Sequence, residues 1–381
     1  MKKLKLNRRN FLKNTVDTGI ALFAGSFLSN SNSSAASSAK PNTKQKPNII
    51  FILMDDLGWG DLGCFGNTII KTPNIDMLAS QGCKFTDFYV SMPICSPTRA
   101  ACLTGRNPNR YGFRHVINEG LVNPNVEVPE IHHLPIEEPT FPRQLRKIGY
   151  RTGTVGKWHL SLTHYPSEPN PHDYGFDYYC LSGGSNSLYH GPAKWERNGE
   201  ILDIGENTWY PNVYVDEAIR FIEQDSSKQF YLSFWPFTPH VKEEAAEKYR
   251  HLYQGYTEQE KTYYGCITQM DDQIGRLFNY LKKNKLWDNT IIIFASDNGP
   301  EPPVNIYQHS EARRGSTGPF RGAKHVLYEG GIRVPAIVRW PGLSKNASIS
   351  SIPVADVDIF QTLCRHLNAE IPKNWKFDGG D

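Results

Sequence analysis

Continuous apolar runs rich in isoleucine stand out along the chain. The clearest are NIIFILM at 48–54 and NTIIIFAS at 289–296, and weaker runs lie at 150–160, 229–237 and 334–342. A strand with both faces buried has this composition, because helices cover both sides of a parallel sheet. The pattern therefore predicts a parallel sheet inside the protein.

Stretches typical of helices separate these runs. They are TPNIDMLASQG, TFPRQLRKIG, VDEAIRFIEQ and YYGCITQMDDQIGRLFNYLKKN, and DVDIFQTLCRHL lies near the end of the sequence. Strands that alternate with helices predict an α/β fold with a mostly parallel central sheet between helix layers. Segments rich in Pro, Gly and aromatics, at 107–140, 161–212 and 300–331, are predicted to be loops, which often carry function.

The first 39 residues have the layout of an export signal. A basic start precedes a short apolar run from Thr15 to Leu28 and a small, polar stretch. The RRNFLK run resembles the twin-arginine signal of bacteria. The apolar run is shorter than the about 20 residues of a transmembrane helix and contains Asp17, so no stable membrane anchor is predicted. We expect a periplasmic protein, with secretion or a cell-surface location as alternatives.

Composition narrows the classes of protein that the chain can represent. Of its 381 residues 39% are apolar and 21% charged, and a net charge of +3 gives no support for nucleic-acid binding. The seven cysteines are scattered and form no CxxC pair, so neither a compact disulfide framework nor a zinc site is predicted. One or two disulfides stay open for an exported protein.

Acidic residues follow both of the clearest predicted strands. Asp55 and Asp56 come directly after the first run, and Asp297 and Asn298 come directly after the second. Ligands of open α/β sheets bind beyond the carboxyl ends of the strands. Clustered carboxylates repel one another unless a positive charge lies among them, and hard oxygen donors suit Ca²⁺ or Mg²⁺. The sequence predicts a metal site, although acids at strand ends are also common turn formers and helix caps.

The segment MPICSPTRAACLTGR places a cysteine where a helix is expected to begin. Pro97 suits the first turn of that helix, and Gly105 suits its end. Cys95 would then lie at the N-cap, where the helix dipole favours an anion and lowers the pKa of a thiol, and Arg99 lies one turn on. Half of a disulfide, a buried thiol and the precursor of a reactive group are the three interpretations.

The run CSPTRAACLTGR resembles the signature of the type I sulfatases, which is Cys-x-Pro-Ser-Arg followed by Leu-Thr-Gly-Arg. Thr98 stands where serine is usual, so a hydroxyl is kept. Five separated motifs agree with that family in order, and the stretch GSTGPFRGAKHVLYEGGIRVP resembles arylsulfatases and N-acetylgalactosamine-6-sulfatases. The resemblance extends from Pro47 over nearly all of the chain. It implies an alkaline phosphatase-like α/β fold and the hydrolysis of sulfate esters.

The resemblance also implies a modified residue and a metal. In the family, the cysteine that corresponds to Cys95 is oxidised to formylglycine (3-oxoalanine) by a sulfatase-maturing enzyme. The hydrated aldehyde, a gem-diol, would supply the nucleophilic oxygen beside one calcium ion per subunit. The residues that match the family's calcium ligands are Asp55, Asp56, Cys95, Asp297 and Asn298.

Further motifs supply the remaining groups of the implied site. GKWHL gives Lys157 and His159, which would point to the same side if the motif forms a strand. TPH gives His240, and FRGAKHVLYEGGIRVP gives Lys324. In the family, Arg99, Lys157 and Lys324 would surround the sulfate with positive charge.

The resemblance assigns the proton transfers as well. Asp297 would help to deprotonate the gem-diol, and His240 with Lys324 would protonate the departing alcohol. His159 would take the proton of the second hydroxyl, so that a covalent sulfo-enzyme intermediate eliminates inorganic sulfate and the aldehyde re-forms. A serine ester has no such second hydroxyl and would have to wait for water.

Family members carry a smaller C-terminal domain with an antiparallel sheet. The implied organisation is an export signal at 1–39, a linker at 40–46, a catalytic domain at 47–344 and the start of an α+β subdomain at 345–381. The ending WKFDGGD is abrupt, which favours a truncated chain. The twin-arginine machinery exports folded proteins, so oxidation of the cysteine would precede export.

Two rival functions stay open. A phosphoester or phosphonate monoester hydrolase of the same superfamily can share the metal acids and the formylglycine, although no second metal set is obvious and His172 and His309 are unassigned. A non-catalytic binder of sulfated glycans would keep the fold. Aromatic-rich segments such as WERNG and ENTWYPN suit stacking on sugar rings. We therefore expect a sulfated polysaccharide or its oligosaccharides as the substrate.

Overall fold

The computed structural model describes residues 46–381 except for 114, 118–130, 163–166, 183–194, 303, 306–309, 312–314 and 374. For 304–305 and 310–311 it describes the backbone alone. The predicted export signal, the linker up to residue 45 and His309 lie outside the described residues. Among the residues that are described, no helix has the length and apolar character needed to cross a bilayer.

The strands of the described residues form one large sheet and one two-stranded sheet. Their bounds are β1 Asn48–Met54, β2 Cys83–Tyr89, β3 Arg151–Gly156, β4 Tyr178–Ser182, β5 Trp195–Arg197, β6 Glu200–Leu202, β7 Phe230–Trp235, β8 Thr290–Ser296, β9 Val304–Asn305, β10 Ser310–Glu311, β11 Arg333–Arg339, β12 Ser348–Ser350 and β13 Val354–Ala355. The two strands β9 and β10 pair with each other, and the others form an 11-stranded sheet.

The large sheet is parallel in the middle and mixed at its edges. Its order is β12-β2-β11-β8-β1-β7-β3-β4-β5-β6, and β13 also pairs with β2. Strands β8, β1, β7, β3 and β4 run parallel to one another. Strand β11 is antiparallel to both β8 and β2, and β5 and β6 add an antiparallel edge. The predicted mostly parallel central sheet is confirmed.

Helices cover both faces of this sheet. Their bounds are α1 Pro73–Ser80, α2 Cys95–Thr104, α3 Phe141–Lys147, α4 Tyr210–Glu223, α5 Glu247–Arg250, α6 Glu258–Lys283, α7 Glu329–Ile332 and α8 Asp358–His366. Short 3-10 turns lie at Gly63–Phe65, Pro108–Tyr111, Pro171–Tyr174, His251–Tyr253 and Trp287–Asn289.

Strand β1 shows why its sequence is apolar at every position. Ile50 and Ile52 pack into one hydrophobic cluster with α1, α4 and α6. Phe51 and Leu53 pack into a second cluster, on the opposite face, with α2, α3 and α8. Since successive side chains of a strand alternate between faces, a strand between two helix layers must be apolar throughout.

Two regions differ from the sequence-based expectation. The predicted loop at 161–212 contains β4, β5, β6 and the first residues of α4. Strand β2 was not predicted, because Lys84, Thr86 and Asp87 interrupt its apolar pattern. These side chains are only partly buried, since β2 lies near the edge of the sheet.

Residues 345–381 pack onto the same sheet. Strands β12 and β13 pair with β2, and α8 contacts α2 and α3. Trp375 Nε1 donates to the Thr104 carbonyl at 3.0 Å, and the Asp378 N–H donates to the Gly105 carbonyl at 3.2 Å. This segment therefore holds the C-terminal end of α2, while the predicted domain boundary at residue 345 stays a prediction.

All seven cysteines lie in the described residues, and each is a free thiol. The disulfides that the sequence left open are therefore not formed.

Candidate active site

The carboxyl ends of β1 and β8 bring the predicted acidic residues together. The two strands pair in parallel, with Met54 opposite Ser296, so the residues that follow them are neighbours. The Asp56 N–H donates to Asp297 Oδ1 at 3.2 Å, and Asn298 Nδ2 donates to Asp56 Oδ1 at 2.6 Å. These groups are buried from solvent.

Helix α2 places Cys95 beside these carboxylates. The helix begins at Cys95 itself, after extended Ile94, so the cysteine is the first helical residue and not the cap, one position from the expectation. Gly105 ends the helix in the left-handed conformation, as predicted. The buried Sγ of Cys95 lies 3.3 Å from Asp55 Oδ1.

The environment of Cys95 overturns one expectation. A position at a helix N-terminus was expected to lower the pKa of the thiol. Instead, burial raises the pKa of Cys95 well above its usual value, and the Asp297 and Asp55 carboxylates raise it further. Two nearby negative charges and the loss of solvent outweigh the helix dipole, so the group at position 95 is a neutral thiol and a poor nucleophile.

Arg99 joins the helix to the acidic cluster. Its guanidinium is fully buried and donates from Nη2 to Asp297 Oδ2 at 2.8 Å and from Nη1 to the Lys157 carbonyl at 3.0 Å. The guanidinium also lies 5.3 Å from the ring centre of Trp235. The arginine therefore neutralises one carboxylate and fixes the loop that carries Lys157.

The sequence suggested that Lys157 and His159 lie on a strand. Strand β3 ends at Gly156, however, so both residues lie in the loop that follows it. Gly156 has a φ of +113°, and a Cβ there would lie 2.1 Å from the Trp235 carbonyl oxygen. The Lys157 N–H donates to that same oxygen at 2.8 Å. Glycine at position 156 thus permits the turn that aims Lys157 into the site.

Two buried lysines pair with the two aspartates that follow β1. Lys157 Nζ lies 2.7 Å from Asp55 Oδ2, and Lys324 Nζ lies 2.8 Å from Asp56 Oδ2. Burial alone would raise the pKa of Asp56, but Lys324 and His240 lower it below its usual range. Each lysine is therefore a counter-ion of one of the two aspartates, Lys157 of Asp55 and Lys324 of Asp56.

The two histidines are held in the neutral form. Burial and the positive charge of Lys157 lower the pKa of His159 well below its usual value. His159 Nε2 lies 3.1 Å from the Ile117 carbonyl, so it carries the proton, and Nδ1 has no hydrogen-bond partner in the part of the chain that the structure describes. Burial and Lys324 lower the pKa of His240 to about 3. His240 Nδ1 lies 2.7 Å from the Val241 carbonyl, which directs Nε2 toward Asp56 at 3.7 Å.

The donor set fits a divalent cation. One ligand atom from each of Asp55, Asp56, Cys95 and His240 lies within 4.8 Å of the others. The buried Oδ1 of Asn298 has no hydrogen-bond partner among the described residues. The Asp297 carboxylate, in contrast, is engaged by Arg99 and by the Asp56 N–H. The oxygens are the donors that hard cations prefer.

Sequence reasoning missed two features of this site. Glu301 is buried and lies 3.1 Å from Lys324, yet it follows the DNG motif with no local pattern that marks it. His240 was assigned a proton-transfer role, and the structure also brings it to the group that could hold a metal. The TPH motif could not show this, because His240 reaches Asp56 only through the pairing of β7 with β1.

The fold thus places a buried cluster of carboxylates, two lysines and an arginine at the carboxyl edge of the parallel strands. A family model described as Sulfatase matches residues 47–369. The chain belongs to the sulfatase family, within the alkaline phosphatase superfamily. Members of this family are sulfuric ester hydrolases, which in general use a metal and formylglycine.

Curated relatives agree with this assignment. N-acetylgalactosamine-6-sulfatase from Sus scrofa is 33% identical over 369 residues, covering 91% of this chain and 67% of the relative. The Homo sapiens enzyme of that name is 33% identical over 354 residues, covering 88% of this chain and 65% of the relative. Arylsulfatase G from Mus musculus is 31% identical over 380 residues, covering 88% and 68%. The chain thus spans about two thirds of the length of these relatives.

Solved structures show the same fold. The crystal structure of Ps i-CgsB in complex with k-i-k-neocarrahexaose superimposes with a TM-score of 0.77 at 29% identity, over 88% of this chain and 75% of that one. PsFucS1 sulfatase from Pseudoalteromonas sp. gives a TM-score of 0.71 at 29% identity, over 88% and 71%.

Proposed function

We propose that this protein hydrolyses sulfate esters of carbohydrates, with residue 95 as a formylglycine nucleophile beside a calcium ion. The observation that carries the proposal is the position of Cys95. Its side chain lies 3.3 Å from Asp55 inside a cluster of carboxylates and fixed cations, within a motif of the sulfatase type.

The chemistry of the cysteine itself supports its conversion. Burial and the neighbouring carboxylates keep the thiol protonated, so an unmodified Cys95 is a poor nucleophile. A hydrated aldehyde at the same position would present two oxygens to the same surroundings. One oxygen would attack sulfur while the S–O bond of the ester breaks and the alcohol leaves. The second hydroxyl would then lose its proton, so that the C–O bond to sulfate breaks and the aldehyde re-forms.

The charges of the site are matched to a sulfate ester. Among the described residues, the ion-pair cluster combines four carboxylates with three cations, and these are Asp55, Asp56, Asp297, Glu301, Arg99, Lys157 and Lys324. Carboxylates exceed cations by one, so a bound divalent ion would leave an excess of one positive charge. A sulfate monoester carries a single negative charge. Bound there, the ion would neutralise the sulfate oxygens and increase the acidity of the nucleophilic hydroxyl.

Asp55, Asp56 and Asn298 would hold the ion, together with residue 95. Asn298 would contribute its buried Oδ1, which no described residue bonds, and the two aspartates lie among the possible ligands. Asp297 is the remaining predicted ligand. Its hydrogen bond with Arg99 orients it toward the cluster, where it would also accept a proton from the nucleophilic hydroxyl.

We propose different proton-transfer roles for His159 and His240. His159 is neutral, and its Nδ1 has no hydrogen-bond partner among the described residues, which suits the base that takes the proton of the second hydroxyl. His240 presents Nε2 near Asp56 and Lys324. Because the neutral imidazole carries its proton on Nδ1, toward the Val241 carbonyl, the Lys324 ammonium would supply the proton of the leaving alcohol, with His240 acting alongside it. Positioned acid–base catalysis of this kind contributes roughly 10²–10⁴-fold.

A carbohydrate substrate is supported by the relatives. The curated relatives include N-acetylgalactosamine-6-sulfatases, and one solved neighbour is a complex with k-i-k-neocarrahexaose. On this basis we propose a sulfated polysaccharide or its oligosaccharides for this chain. We further propose maturation by a formylglycine-generating enzyme and twin-arginine export to the periplasm, based on the motif at Cys95 and the basic start of the sequence.

Turnover of matched esters tests the proposal. Purified protein from its own host is assayed with an aryl sulfate and the corresponding aryl phosphate, and then with a panel of sulfated oligosaccharides. We expect the sulfate to be turned over in preference to the phosphate. Preference for phosphate or phosphonate would indicate the rival hydrolase, and binding of sulfated glycans without turnover would indicate a non-catalytic binder.

A further inference from the structure

Glu301 follows the acidic motif at the end of β8 and turns back into the site. Its side chain is only 4% exposed. Glu301 Oε2 lies 3.1 Å from Lys324 Nζ, and Oε1 lies 3.8 Å from His325 Nε2. The preceding residue takes part as well, since the Lys324 N–H donates to the Pro300 carbonyl at 2.9 Å. One short segment therefore holds both the backbone and the ammonium of Lys324.

Lys324 is shared between two carboxylates of different character. Its ammonium lies 2.8 Å from Asp56 and 3.1 Å from Glu301. Asp56 is one of the possible metal ligands, whereas Glu301 is outside that group. A divalent ion on Asp56 would compete with the ammonium for the same carboxylate. Glu301 is then the partner that Lys324 keeps.

Burial makes this remaining partner necessary. An ammonium that is removed from water without a counter-ion is strongly disfavoured, and it moves or loses its proton. Lys324 is nearly fully buried, so solvent cannot replace Asp56. Because Glu301 is outside the group of possible metal ligands, its carboxylate can keep the charge in place without occupying a ligand position.

We propose that Glu301 is a positioning residue, which holds the Lys324 ammonium toward the leaving oxygen of the substrate when the metal is bound. This inference rests on the proposed function, because it takes the role of Lys324 from there. Glu301 lies outside the group of possible metal ligands. It acts through Lys324.

The test compares the Glu301→Gln variant with the wild-type enzyme, both loaded with calcium, on two substrates. One substrate is an aryl sulfate whose leaving group departs without a proton, and the other is a sugar sulfate whose alkoxide needs one. Displacement of a catalytic group by about 1 Å can cost about 10²-fold. We expect a fall in kcat of that order for the sugar sulfate, a much smaller fall for the aryl sulfate and little change in KM.

A double-mutant cycle shows whether Glu301 acts through Lys324. If it does, Glu301→Gln adds nothing to the loss already caused by Lys324→Ala, because residues in one network are not additive. Calcium-loaded crystal structures of the wild type and Glu301→Gln provide a readout apart from activity. We expect the Lys324 ammonium to have moved in the variant.

Glu217→Gln is the matched control. Glu217 is also a buried glutamate. It lies on α4 and pairs with Arg197 on β5, away from the cluster at the end of β8. We expect this control to lower the thermal midpoint without changing the ratio of the two rates. Glu301→Asp serves as a second variant, and partial recovery of the sugar sulfate rate is expected from it.

Each contrary outcome has a distinct meaning. Equal losses on both substrates, or losses that add to those of Lys324→Ala, would make Glu301 a structural residue and overturn the inference alone. Full turnover of the sugar sulfate by Lys324→Ala would remove the role of Lys324 in the proposed function, and the inference with it.

Discussion

Lys157 Nζ lies 2.7 Å from Asp55 Oδ2 in the interior of the protein, and both side chains are almost completely shielded from solvent. Burial alone would lower the pKa of Lys157, but Asp55 raises it above its usual value. The lysine is therefore charged, and it compensates a carboxylate that the proposed function assigns to the metal. This ion pair links stability, metal binding and catalysis in one contact.

Lys157→Met tests that link. Loss of one partner from a buried ion pair costs about 3–5 kcal/mol, because the other charge is left uncompensated. We expect the metal-free variant to melt well below the wild type, and calcium to raise its melting temperature by more than it raises that of the wild type. Thermal unfolding with a chelator and with added calcium measures both effects.

The control for this experiment is Lys228→Met, which removes an exposed lysine 3.9 Å from Asp225. Surface pairs contribute little, so neither the melting temperature nor the calcium effect should change much. An equal calcium shift in Lys157→Met and wild type would show that Asp55 does not contribute to the metal site.

Gly156→Ala tests how the loop after β3 is formed. A Cβ at position 156 would lie 2.1 Å from the Trp235 carbonyl oxygen, in addition to the cost of φ at +113°. The conformational cost alone is about 1–2 kcal/mol for a residue with a Cβ. We expect a larger loss of unfolding free energy than this, together with loss of activity, because Lys157 and His159 are displaced. Urea denaturation and an aryl sulfate assay measure the two effects.

Gly149→Ala is the matched control, because Gly149 has a φ of +92° and a Cβ at that position would meet no atom of the described residues within 4 Å. It should show the conformational cost and retain activity. Equal destabilisation of the two variants would mean that the Trp235 contact does not decide the geometry of the loop.

The buried carboxyl group of Asp356 is expected to make the folding stability of the protein depend on pH. Burial raises its pKa to about 7, although Ser91 and the Val357 N–H donate hydrogen bonds to the carboxylate. The folded protein therefore keeps a proton that the unfolded chain loses near the ordinary value of 3.8. The contribution of Asp356 to the free energy of unfolding is therefore fully present below pH 3.8. It decreases as the pH rises to about 7 and changes little above that.

Asp356→Asn removes this dependence. We expect the melting temperature of the variant, minus that of the wild type, to increase as the pH rises from about 4 to about 7. The lost hydrogen bonds add a constant offset at all pH values. Asp288→Asn, at an exposed carboxylate, is the control and should give a flat difference. A flat difference for Asp356→Asn as well would contradict the raised pKa.

Cys95→Ser tests the need for a second hydroxyl at position 95. A serine can accept the sulfuryl group, but it cannot release sulfate by C–O cleavage. We expect turnover to be lost and a stable sulfate ester to accumulate on the serine, which intact-protein mass spectrometry detects after incubation with substrate. Multiple turnovers at the wild-type rate would rule out the proposed role of the gem-diol.

The sequence predicted most of what depends on local pattern. Strands β1 and β8 were found because burial on both faces leaves them apolar throughout, and the acids at their ends follow directly. The loop of Lys157 was mistaken for a strand, since GKWHL has strand-like composition and only the close approach of Trp235 ends β3 at Gly156. Glu301 could not be found, because its contact with Lys324 exists only in the folded chain.

The raised pKa of Cys95 was missed for the same reason. Its place at a helix start is visible in the sequence, whereas the distance to Asp55 and the burial are not. Long-range electrostatics reversed an expectation that rested on one helix alone.

The most direct test of the central claim is a mass measurement of the peptide that contains residue 95, taken from active protein purified from its own host. The proposed mechanism predicts an aldehyde or its hydrate at that position, in an amount that matches the active fraction. A fully active preparation that carries an unmodified thiol at Cys95 would contradict it.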